Sequence, residues 1–218
     1  MHWIVKLYSS SVGKKYLMAV TGIILFAFVV VHMLGNLQIF LGAERLNHYA
    51  ALLQGAAGLL WAARTVLLFC VGVHIVASVQ LFLLNRRARP ERYRMTRYRA
   101  ADYSARTMVW SGPIVALFVV YHLLHLTLGT VHLSFVADDV YHNVVAGFRV
   151  APVAAFYIAA NLLLGYHLYH GLWSLFQSLG LSHPAYDRWR QVFAAVMATV
   201  IAAGNVSIPV AVLTGLVG

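Results

Sequence analysis

Five stretches of this chain are apolar for long enough to decide the solvent it folds in. They run over roughly residues 16–41, 59–84, 107–129, 151–181 and 192–217. The hydrocarbon core of a bilayer is about 30 Å thick, and about 20 apolar residues in helix are needed to cross it. In hydrocarbon every backbone N–H and C=O must be paired within the segment, so such stretches fold as helices. The expectation is an all-α, polytopic membrane protein: a five-transmembrane-helix bundle in a single membrane domain over residues 1–218. The polar stretch GAERLNHYAALLQG precedes the second run. Ser182, His183 and Pro184 end the fourth, and Pro209 interrupts the fifth. No linker and no repeat of solenoid length divides the chain.

Composition agrees: 61% of residues are hydrophobic and only 10% charged, outside the range of soluble domains. A formal net charge of +10 invites a nucleic-acid reading. The positions of the basic residues argue against it, because they gather between the apolar runs. Lys6, Lys14 and Lys15 lie before the first run, eight arginines crowd NRRARPERYRMTRYRAADYSAR, and Arg188 and Arg190 precede the fifth. These 3 + 8 + 2 make thirteen of the sixteen basic residues, all on one side of the expected membrane, against Arg45, Arg64 and Arg149 on the other. The positive-inside rule then puts the N-terminus in the cytoplasm and the C-terminus outside, in a prokaryotic cytoplasmic (inner) membrane. Lys14 and Lys15 precede an apolar run too long for a signal peptide, so that run is expected to remain as the first span. The single cysteine, Cys70, excludes an internal disulfide and an iron–sulfur cluster held by this chain alone.

The apolar runs carry imidazoles. Of eleven histidines, His2, His48, His132, His142 and His183 fall in connections or near run ends, where solvation explains them. The other six lie within spans: His32 in the first, His74 in the second, His122 and His125 in the third, His167 and His170 in the fourth. One histidine in hydrocarbon can simply bridge to a neighbouring helix. Four spans each carrying one form a functional pattern. At about 1.5 Å per residue, His32 and His122 lie about 24 and 22 Å from the cytoplasmic ends of their spans, and His74 and His170 about 16 and 18 Å. That ordering suggests an outer pair, His32 with His122, and an inner pair, His74 with His170. Facing neutral imidazoles can occupy both axial positions of a haem iron, and two such pairs form an electron relay. Zinc is the weaker alternative, since no thiolate or compact ligand spacing accompanies the histidines. A proton or ion pathway would recruit carboxylates within the spans, and all six acidic residues lie outside them or at their edges.

The motifs SSSVGKKYLMAVTG, VVVHMLGNLQIFLG, YHLLHLTLG and LYHGLWSLFQSLG, in this order, resemble the cytochrome b membrane anchor of succinate dehydrogenase/fumarate reductase, in its five-span, dihaem form. The resemblance covers essentially the whole chain. It implies two haem b groups, with His32 and His122 as axial iron ligands of the distal (outer) haem and His74 and His170 as those of the proximal (inner) haem. His125 and His167 are then neighbours or packing residues. It also implies partners: a flavoprotein subunit with FAD and an iron–sulfur subunit docked on the cytoplasmic face, in a complex that a higher oligomer would also accommodate. Quinone, with menaquinone expected, is the exchangeable substrate in the membrane lipid. The implied function is to pass electrons between those subunits and quinone, with no dicarboxylate chemistry in this subunit. The alternatives are the cytochrome b anchor of a formate dehydrogenase, hydrogenase or nitrate reductase, and a haem-free structural anchor. Some menaquinone-linked members place a glutamate near the proximal ligand. Here that neighbourhood is Tyr166, Leu168 and Tyr169, so no carboxylate pathway is carried over. Glu44, Asn47 and His48 form a polar cluster for quinone or, more simply, for capping a helix. Ser174 and Arg106 are placed by depth to meet haem propionates.

Overall fold

The computed structural model describes residues 9–88 and 103–218, with side chains from Thr107 onward in the second segment. Lys6, most of the arginine-rich connection and the Arg106 side chain lie outside the described residues. The described residues form helices and no strand. Seven α-helices follow in order: α1 Ser11–Asn36, α2 Ala43–Gly55, α3 Ala57–Arg87, α4 Tyr103–His122, α5 Val140–Arg149, α6 Ala151–Ser178 and α7 Asp187–Leu213. Five of the helical segments are long and apolar enough to cross a membrane, those of α1, α3, α4, α6 and α7.

Local chemistry sets the boundaries. Ser10 caps α1 by accepting the Gly13 N–H at 3.0 Å, and Asp139 caps α5 by accepting that of His142 at 2.9 Å, each filling an orphan donor of a first turn. The last stretch of the first run tightens to a 3₁₀ helix at Leu37–Leu41 and ends at Gly42, whose φ of 97° is open to glycine. Proline does not interrupt the fifth span as the sequence reading expected: Pro209 lies buried inside α7, which starts at Asp187, five residues before the expected 192. Two helices were not foreseen, α2 within the polar stretch and α5 between the third and fourth spans. Both lie at one end of the bundle, together with the connection over residues 128–139. The start of α1, the end of α3, the start of α4 and the turn into α7 share the opposite, basic end.

The spans pack as two uneven layers. α6 and α7 form the most extensive pair, followed by α1 with α3 and then α4 with α6. Gly165 brings α6 close to α7: a Cβ there would lie 3.0 Å from that of Ala202, the small-residue approach that joins helices in lipid. α1 also touches α6 and α7. Among the described residues α3 packs chiefly on α1 and has no comparable packing on α4 or α6. The best-buried apolar cluster, with Ile39, Leu46, Phe118, Val145, Phe148, Tyr157 and Ile208, lies in the half nearest α2 and α5. The basic half carries fewer such residues.

Candidate functional site

Histidine rings from the two layers meet in two pairs. His32 of α1 and His122 of α4 stand with ring centres 5.8 Å apart and planes at 90°. His74 of α3 faces His167 of α6 at 6.5 Å and 59°. The ring that meets His74 is therefore that of His167, where the sequence reading had named His170. Two imidazoles on one iron need centres roughly 6 Å apart, the sum of two metal–nitrogen bonds of about 2 Å and about 1 Å from each nitrogen to its ring centre. Both separations fit that requirement.

The pairs are stacked along the bundle, and two helices serve as rulers. On α1, Thr21 and Gly22 meet His74, with Thr21 Oγ1 3.2 Å from its Nδ1. That is eleven residues before His32, or about 16 Å along the axis. On α4, Gly112 stands beside His167, its hypothetical Cβ 4.0 Å from Cε1. That is ten residues before His122, or about 15 Å. The two rulers agree.

Neighbouring groups fix the rings. The Thr21 hydroxyl donates to the Leu17 carbonyl at 2.7 Å, so its oxygen accepts from Nδ1–H of His74, leaving the Nε2 lone pair free for a metal. At the other level the Tyr157 hydroxyl lies 3.1 Å from His125 Nδ1 and 3.5 Å from His122 Nδ1. His125 is buried within a π-helical turn, Leu123–Thr127, at the end of α4. It stacks on Tyr121 at 5.4 Å and on His132 at 4.8 Å. Nε2–H of His132 donates to the Asn143 carbonyl at 2.8 Å, and its Nδ1 accepts the Ser134 N–H at 3.0 Å. His125 is thus held from every side by ring and hydroxyl contacts and belongs to the wall behind His122.

The remaining sequence candidates separate. Asn47 turns inward, donating to Asp139 at 2.9 Å and accepting the Tyr141 N–H at 2.9 Å, so it ties α2 to α5. Glu44 and His48 lie on the exposed face of α2. Ser174 donates to the carbonyl of Gly171 at 3.2 Å, within its own helix. Thr21 and Tyr157 went unnoticed in the sequence. The one available signal was a polar group inside an apolar run.

The surroundings suit a flat, apolar cofactor. Gly22 and Gly112 strip side-chain bulk from both layers beside the inner pair. An apolar groove of about 620 Å³ between α1 and α3 opens next to the Thr21–His74 contact. Among the described residues no group of three or more His, Cys, Asp or Glu side chains comes together. Among the described residues the donor set therefore offers two facing pairs of imidazoles and no tetrahedral cage. Comparison with family models, curated proteins and solved structures finds no match.

Proposed function

We propose that this chain is a dihaem cytochrome b: the membrane anchor of a succinate:quinone oxidoreductase that passes electrons between flavoprotein and iron–sulfur subunits and membrane quinone. The observation that carries the haem reading is the double pairing. Two histidine pairs at bis-imidazole spacing, each from opposed layers, lie about 15 Å apart along the bundle. His32 and His122 hold the outer haem, and His74 and His167 the inner one, which replaces His170 as the expected fourth ligand. The choice of parent enzyme rests on the motif resemblance of the four spans.

Bound haem supplies reversible one-electron iron chemistry at each level. The chain fixes the ligand tautomers through Thr21 and Tyr157. It keeps water from the irons with the apolar faces of five spans. It offers no carboxylate within the spans to move a proton with the electron. The basic end, read as cytoplasmic, presents Arg86 and Arg87 at the close of α3, beside the arginine-rich connection, as a surface for the soluble subunits.

The test is a reduced-minus-oxidised spectrum of the purified chain with quantitative haem extraction. The reading expects b-type absorbance and two haems per chain, and a colourless preparation refutes it. Co-purification of a flavin-bearing subunit supports the succinate:quinone assignment, whereas a molybdenum or nickel enzyme in its place assigns the anchor to another quinone-linked complex.

A further inference from the structure

Arg190 is the largest fully buried side chain in the described structure, 1% exposed. It sits in the first turn of α7 at the basic end and pairs through Nη2 with Asp187, whose side chain is half exposed. Its Nε and Nη1 are buried and have no hydrogen-bond partner among the described residues. A guanidinium carries five N–H donors in a fixed plane and is never deprotonated. The Asp187 pairing therefore leaves three donors and much of a full charge turned into protein. Buried donors are nearly always satisfied, and an exception calls for a missing acceptor.

A second orphan lies about one helical turn nearer the middle of the bundle: among the described residues, Nε1 of Trp173 on α6 is buried without a partner. Contacts between α6 and α7 set the register: Gly165 abuts Ala202, and Phe176 packs against Trp189 and Phe193 at 6.1 and 6.0 Å. Arg190 thus lies opposite Gln177 on α6, about ten residues, or about 15 Å, towards the basic end from His167. Trp189 stacks on Phe193 at 5.6 Å on the outer side of α7.

We propose that Arg190 and Trp173 form a buried anion site at the basic end of the bundle, completed by a carboxylate or phosphate from a molecule outside this chain. Two sources fit this chemistry: the phosphate of an anionic phospholipid and the propionate carboxylates of the inner haem. Only the second rests on the haem reading.

The experiment uses the full chain in nanodiscs, wild type and Arg190→Met, a neutral side chain of similar reach. Phospholipid retained after exchange into detergent is counted by mass spectrometry for phosphatidylglycerol against phosphatidylcholine. Haem affinity is measured for haem b against its dimethyl ester, which lacks the carboxylates. A lipid site predicts that the wild type keeps phosphatidylglycerol at least tenfold better than phosphatidylcholine, that Arg190→Met loses this preference, and that the two haems bind alike. A propionate site predicts that esterification and Arg190→Met each weaken inner-haem binding by tenfold or more, without additivity. The wild-type probe pairs decide even where the variant fails to fold. The proposal is overturned where the wild type prefers neither anionic probe over its neutral counterpart, or where Arg190→Met keeps the preference. Absence of any haem binding removes the functional reading and the propionate arm together, and the phospholipid comparison then decides alone.

Discussion

His167 and His170 show how much hangs on the rotation of one helix. They are three residues apart, which places them about 60° from each other on α6. Both lie away from the stripe of Ala154, Tyr157, Asn161, Gly165 and Leu172 that is buried in the bundle. Sequence periodicity finds the polar flank of the helix and stops there. Close packing of Gly165 against α7 selects the azimuth, and that contact brings His167 to His74. On the proposed dihaem reading, with His167 as the fourth ligand, His167→Ala should remove the inner haem and leave the outer, whereas His170→Ala should retain both. Extraction gives about one haem per chain against about two. Two haems in His167→Ala would remove the pairing proposed for the inner level. The Tyr157 hydroxyl, between two imidazole Nδ1 atoms, acts on the outer level alone. A hydrogen bond to the far nitrogen of a metal-bound histidine raises its basicity and favours the oxidised iron. Tyr157→Phe is expected to shift the outer haem towards easier reduction by up to about tenfold in its one-electron equilibrium, about 59 mV. The inner couple should stay unmoved in a redox titration.

At the scale of elements, the five spans were legible because hydrocarbon imposes a length and a composition that no other environment demands. α2 and α5 were not, because they are short and mixed in polarity and are held by contacts distant in sequence. Asn47 bridges to Asp139 and Tyr141 across more than ninety positions, and no local pattern announces such a bond. The π-helical turn at His125 was equally hidden, being set by the rings of Tyr121, His132 and Tyr157 and by the close approach of α5 at Gly147. Gly147 of α5 is the tightest of these approaches: a Cβ there would lie 2.7 Å from His125 Cε1 and 3.1 Å from His132 Nε2. Both rings are pinned by their own hydrogen bonds and have little room to yield. Gly147→Ala should cost about 1–3 kcal/mol, as overpacking does, and should lower the temperature at which the outer haem is lost more than that of the inner. The cap of α5 adds a pH dependence. The His142 N–H, and after it the Asn47 amide, hold the Asp139 carboxyl below its ordinary range. Its value in the folded chain is thus below that in the unfolded chain. The stabilisation is complete above the unfolded value and disappears as pH falls through the depressed one. Hydrogen exchange at the His142 amide should accelerate on acidification below the usual carboxylate range. Asp139→Asn, which keeps an acceptor and loses the charge, should remove that dependence.

The whole molecule is a strong pair of helices, α6 and α7, joined by α4 and α1, with α3 attached along one side. Much of α3 faces outward: Leu68, Phe69, Val76 and Val79 are each half exposed or more, or close to it. One of its contacts with the opposite layer is the His74–His167 approach. Composition shows that such a helix belongs in lipid, but it does not show that the helix stands apart from half the bundle. Gly22 and Gly112 leave no side-chain bulk beside the His74 and His167 rings at this level. A ligand held by His74 and His167 would be a tie between layers that otherwise lack one at this level. Binding to the folded form at a hundredfold excess over the dissociation constant adds about 2.7 kcal/mol of stability, and here that gain would fall on α3. In chain produced without haem, amide exchange and protease cleavage in lipid nanodiscs should therefore rise along α3 while α6 and α7 stay protected. Adding haem to that chain should restore protection of α3 in wild type and fail to do so in His74→Ala. Equal protection of α3 and α6 without haem would mean that the two layers hold each other unaided.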